Sequence, residues 1–157
     1  MKKLFLVAIS LVLLNPAQLY AADREDLIKQ IKQNWVNYSN KTVDISTFHP
    51  DGTWQATSQG GLWALQSPEE AKSQIEDSPN TLNFRPHHIE VTIVGKNKDV
   101  AYTNYYAVGK ITGPDGKVIA ENYRTRFSGT LVKKGGKWLF VGRHASPLYG
   151  GSGVILD

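Results

Sequence analysis

The rhythm of apolar and polar positions changes twice along the 157 residues, and each change marks a different kind of element. The opening stretch has no period: Leu4 to Leu14 is apolar except for Ser10, follows Lys2 and Lys3, and ends at Asn15-Pro16. From Asp23 to Asn40, Leu27, Ile28, Ile31 and Trp35 recur at helical spacing. Lys29, Lys32, Gln33 and Asn37 take the other face, and Asp23 is placed to cap the start, so the spacing predicts an amphipathic helix. A polar link, Asn40-Lys41-Thr42, leads past Phe48 to the turn His49-Pro50-Asp51-Gly52, after which Thr53 to Thr57 reads as extended. Gly60-Gly61 is a tight corner and Leu62 to Leu65 a short strand. Ser67, Pro68 and Glu70 then spell a capping box with proline at the first helical position. A second helix follows, with Ala71 and Ile75 facing inward and Pro79 closing it.

From Asn83 the period becomes two, with Ile89, Val91 and Ile93 alternating against His88, Glu90 and Thr92. Turn signals at Asn97-Lys98-Asp99, Gly113-Pro114-Asp115-Gly116 and Lys134-Gly135-Gly136 divide the rest into four strands, Phe84 to Gly95, Val100 to Ile111, Lys117 to Lys133 and Lys137 to Ser146. The expected fold class is α+β: a strongly curved antiparallel meander wrapped around the amino-terminal helices as a cone, enclosing a pocket. Bulky residues fall on both faces of the later strands. Trp138, Phe140 and His144 alternate with Leu139 and Val141, and Tyr102 and Tyr106 with Tyr105. One face packs on the helices. The other is apolar for a solvated surface, which predicts a homodimer or larger assembly.

Read with its flanks, the opening stretch changes the expected compartment. A positive start, a short apolar run and small residues at Ala21 and Ala22 have the anatomy of a cleavable signal peptide over residues 1–22, and a run this short falls below the roughly 20 residues of a membrane-crossing helix. An uncleaved anchor or a buried core helix is the alternative. The expected destination is the periplasm or the exterior, with residues 23–149 forming one domain and the glycine-rich residues 150–157 a flexible tail. Losing Lys2 and Lys3 lowers the formal charge from +4 to +2. No basic stripe accompanies it, so nucleic acid is not an expected partner, and neither is the membrane once the leader is gone. The chain has no cysteine, which excludes a lipid-anchored cysteine and a disulfide framework.

Candidate chemistry is sparse. No serine sits in a nucleophile elbow, no phosphate loop is present, and no cofactor is implied. His87 and His88, adjacent on a strand, point to opposite faces, and His49 and His144 lack a second histidine at ligand spacing, so no metal site is expected. His144 is either a pocket acid, base or donor, or a histidine satisfied by backbone at a strand end. Tyr102, Tyr106 and Trp63 either line a cavity for a flat or apolar ligand or belong to the core.

The order of elements, the stretch Phe48 to Trp54, the Gly-Gly corner and the close of the chain carry a resemblance. Asn122 to Phe127 runs through Gly136-Lys137-Trp138 to His144-Ala145-Ser146, and the whole resembles the nuclear transport factor 2 superfamily. Within it the chain is similar to SnoaL-like domains and to the association domain of calcium/calmodulin-dependent protein kinase. The resemblance implies a pocket between the concave sheet face and the helices, with arginines that hold a carboxylate. Arg126 matches one of them, whereas Asn104 and Ala145 stand where two others are expected; Arg124 or Arg143 could supply a second guanidinium. Arg126 has a plain alternative, pairing with Glu90 or Glu121 on a solvated surface. Steroid isomerases of the superfamily carry a general base on the first strand, where this chain has Ala56. Asp44, Asp51 and Glu90 are the carboxylates left for acid–base work, with Asp51 or His144 the candidate catalytic residue. The expected function is a periplasmic or secreted binding and oligomerisation module holding a small organic acid around Arg126, Arg124, Asn104, Tyr106, Tyr102, Trp63 and His144. The alternative is a cofactor-free SnoaL-like lyase, isomerase or cyclase acting on a small hydrophobic substrate.

Overall fold

The computed structural model describes residues 16–58 and 60–148. The expected leader lies outside these residues up to position 15, and the expected tail lies wholly outside them. Helix α1, Pro16–Ser39, buries Leu27, Ile31, Trp35 and Tyr38 along one stripe, as the spacing requires. It begins ahead of Asp23, which is therefore an interior helix residue and not its cap; the Asp23 carboxylate pairs with Lys133 on the sheet. Helix α2, Pro68–Glu76, has the capping box in full: Glu70 N–H donates to Ser67 Oγ at 3.1 Å, and Ser67 N–H donates to Glu70 Oε2 at 2.8 Å.

Six strands form one open sheet: β1 (Thr53–Ala56), β2 (Ala64–Gln66), β3 (Thr81–Val94), β4 (Val100–Thr112), β5 (Val118–Lys134) and β6 (Lys137–Pro147). Their order is β2-β1-β6-β5-β4-β3. The last four strands are the expected antiparallel meander, but β1 joins β6 in parallel, with Gln55 opposite Arg143. Parallel neighbours need a long connection, and here it is everything from β2 through β5.

The curvature of the cone-like α+β fold comes from irregularities in register. The β3–β4 ladder shifts between His87 and Glu90, where His88 takes a left-handed φ of 51°. At Gly109, β4 comes so close to β3 that a Cβ would sit 2.0 Å from the Asn83 carbonyl oxygen, so only glycine fits. The shift between β5 and β6 decides the site. Leu131 pairs with Phe140 but Thr130 pairs with Gly142, leaving Val141 as an extra residue in β6. A single inserted residue exchanges the faces of everything beyond it. Phe140, Arg143 and Ala145 therefore share the inner face, in place of the expected Phe140 and His144. Tyr105 also turns inward, against Trp35 and Phe127, so it does not contribute to an apolar outer face.

Candidate functional site

The inner face of the sheet, α1 and α2 border an open cavity of about 350 Å³. Helical spacing puts Trp35 and Tyr38 one turn apart on the buried stripe of α1, so both reach it. Alternation along β5 brings Tyr123, Thr125 and Phe127 to its wall, and β3 adds Leu82 and Phe84. β1 and α2 supply the polar side chains Gln55 and Gln74, while Ser58 and Asn80 come from the adjoining loops. Among the described residues no aspartate or glutamate lines the cavity.

Arg143 brings a permanent charge into these surroundings. Its Nη1 donates to the Tyr38 hydroxyl at 3.0 Å, and its guanidinium carbon lies 5.7, 5.6 and 5.5 Å from the ring centres of Tyr38, Phe48 and Phe140. Among the described residues no carboxylate forms an ion pair with it; the ion pairs there use Arg24, His49, Lys72, Lys117 and Lys133. A guanidinium carries five N–H bonds, and within the described residues one is taken. Burial works against the charge, yet Tyr38 and Tyr105 beside it more than offset that and hold the Arg143 pKa above its ordinary value. Beneath the cavity floor the Tyr105 hydroxyl accepts from Trp35 Nε1 at 3.3 Å and its ring stacks on Phe127 at 5.2 Å. Burial pushes the Tyr105 pKa up to about 12, against the opposing pull of Arg143 and of the Trp35 hydrogen bond. The cavity thus offers unspent donors inside aromatic walls, the arrangement that suits an organic anion.

The sequence-predicted residues divide between the two faces. Arg126 pairs across the ladder with Tyr106, and Asn104 with Ser128, while the cavity residues Thr125 and Phe127 pair with Ala107 and Tyr105. Strand alternation therefore puts Arg126, Arg124, Asn104, Tyr106 and Tyr102 on the outer face, away from the cavity. The pocket expected around Arg126, Asn104 and Tyr106 is built instead by their inward neighbours. Arg126 Nε donates to Ser146 Oγ at 2.9 Å, and Glu90, offered as its partner, pairs with Arg24. His144 borders the cavity, and its ring lies 5.6 Å from that of the exposed Trp63. Asp51 stays in its exposed turn, where its N–H donates to His49 Nδ1 at 3.2 Å. Tyr38 and Gln55 were not singled out from the sequence, and Arg143 only as a possible second guanidinium. Among the described residues no three His, Cys, Asp or Glu side chains converge as metal ligands, and no helix is long and apolar enough to cross a membrane.

No protein-family model matches the chain, and no curated protein sequence does. Solved structures do resemble it. A protein from Exiguobacterium sibiricum assigned to the Ca/calmodulin-dependent kinase II association domain is 11% identical, with a TM-score of 0.62 over 88% of this chain and 98% of that one. A ketosteroid isomerase-like protein from Erwinia carotovora atroseptica gives 0.61 at 17% identity, over 79% and 95%. An NTF2-like protein of unknown function from Pseudomonas putida gives 0.59 at 16%, over 87% and 94%. The chain has the nuclear transport factor 2-like fold, as its motifs led us to expect.

Proposed function

We propose that this is an exported binding module that associates with itself, and that its cavity holds a small organic acid through Arg143. The observation that carries the reading is the cavity-lining guanidinium whose only hydrogen bond within the described residues goes to a tyrosine hydroxyl. A carboxylate placed there would give the guanidinium a counter-charge, which it lacks among the described residues, each hydrogen bond to the charged group being worth about 1.5–3 kcal/mol. Export rests on Lys2, Lys3, the apolar run Leu4 to Leu14 and the small residues Ala21 and Ala22.

The names of the fold neighbours point two ways, to an isomerase-like protein and to an association domain. The lining residues favour holding over turnover. With no carboxylate in the wall among the described residues, a cofactor-free isomerase or lyase step would depend on His144 at the rim as its base. Association is supported by the outer face, where Trp54, Trp63, Leu65 and Tyr102 remain 52, 56, 50 and 45% exposed and Trp54 sits directly opposite Leu65.

The test is calorimetric titration of the chain with 3-phenylpropanoate, for the wild type and Arg143→Gln. Loss of at least about tenfold in affinity is expected in the variant, about 1.4 kcal/mol; equal binding by both proteins would overturn the reading. Light scattering across a concentration series tests association, and a strict monomer would remove that half of it.

A further inference from the structure

Beside Arg143 the cavity carries a second unspent group of opposite character. Gln55 and Arg143 are register partners on neighbouring parallel strands, so their side chains leave the sheet on the same face about 4.8 Å apart at the backbone, and both line the cavity. Gln55 is 9% exposed, and its amide is turned toward Gln74. Its Nε2 donates to Gln74 Oε1 at 3.1 Å, and the same oxygen accepts from Gln66 Nε2, also at 3.1 Å. With its nitrogen turned to Gln74, Gln55 has its carbonyl oxygen left over, and nothing among the described residues donates to it. That oxygen is also not sealed off; the sealed, unpartnered amide oxygen of this group belongs to Gln66.

We infer that the site selects 2-hydroxy monocarboxylic acids with an apolar or aromatic side group: the carboxylate on Arg143, the 2-hydroxyl donating to Gln55 Oε1, and the side group against Phe84, Tyr123 and Phe127. This rests on the organic-acid reading above and narrows it. A donor on the carbon next to the carboxylate matches a donor array and an acceptor on adjacent strands. An ammonium in the same position would sit beside a guanidinium with no carboxylate of its own, so 2-amino acids are disfavoured. A cavity of about 350 Å³ has room for about a dozen water volumes, which accommodates an aryl group as well as the polar head.

Calorimetry with three probes tests this on the full chain, unaltered and as Gln55→Leu. 3-Phenyllactate should bind about tenfold tighter than 3-phenylpropanoate, because the latter leaves the Gln55 oxygen without a donor. 2-Methoxy-3-phenylpropanoate, which keeps the oxygen and lacks the proton, should lose that advantage. In Gln55→Leu, 3-phenyllactate and 3-phenylpropanoate should bind within about twofold of one another. Equal affinities of the wild type for 3-phenyllactate and 3-phenylpropanoate would overturn the hydroxyl assignment and leave the organic-acid reading standing. An advantage for phenyllactate that survives Gln55→Leu or is shared by the methoxy compound would also overturn it. Binding of none of the three would sink both.

Discussion

Along β5, Tyr123, Thr125 and Phe127 line the cavity, while Arg124 and Arg126, interleaved with them, face away. The same strand thus carries an aromatic wall on one side and guanidinium groups on the other. Across the whole sheet the contrast holds. The inner face has a closed apolar core at one end, with Leu131 fully buried, and a partly polar cavity at the other. The outer face has no such gradient: exposed Trp54, Trp63, Leu65 and Tyr102 lie among polar residues, and its arginines are held by short side chains such as Ser146. The difference teaches that chemical identity along a strand says little until its face is known. An arginine facing out is a solvated charge, whereas an arginine on the neighbouring strand, facing in, is a candidate anion holder.

The largest expected effect that tests this contrast is on stability. Leu131→Ala, at a fully buried inward position, should cost about 2–5 kcal/mol in chemical denaturation. Tyr102→Ala on the outer face should cost less than about 0.5 kcal/mol at protein concentrations where the chain is monomeric. A larger, concentration-dependent loss at Tyr102 would show that the outer face is covered in an assembly.

The second effect is in the pH dependence. Tyr105 has a folded pKa raised to about 12 above an unfolded value near 10, so its contribution is intact below pH 10 and is lost as pH rises through 12. The loss should approach about 2–3 kcal/mol, measured as the difference in stability between wild type and Tyr105→Phe across that window. Parallel pH profiles for the two proteins would mean that the inner face does not hold the phenol neutral.

A third prediction separates binding from stability. Arg143→Met should lower 3-phenylpropanoate affinity by at least about tenfold and leave the empty protein as stable as the wild type or up to about 1 kcal/mol more so, since an unpaired inward charge is replaced by an apolar side chain of similar length. The smallest effect belongs to the outer arginine. Arg126→Ala should change the same affinity by less than about twofold; a tenfold loss would place the anion on the outer face and reverse the comparison.

Much of the fold was legible because it is written in local signals. The stripe Leu27, Ile31, Trp35, the Ser67 to Glu70 capping box and the period-two run at Ile89, Val91 and Ile93 each fix a conformation through neighbours in sequence. The candidate site was legible only in part. Its shift at Val141 inserts one residue between Phe140 and Gly142, and counting by twes from Trp138 through Phe140 then reaches His144 when the inward residue is Arg143. Gly142, isolated inside a strand pattern, was the one local sign of a bulge.

By itself the sequence determined the elements, their order and the α+β class, because helix stripes, caps and strand alternation depend on residues close along the chain. Only the tertiary structure decided which arginine faces the cavity, that β1 runs parallel to β6, and that Gln55 stands beside Arg143. Those facts depend on pairing between strands far apart in sequence, where one extra residue in a ladder turns every later side chain to the other face.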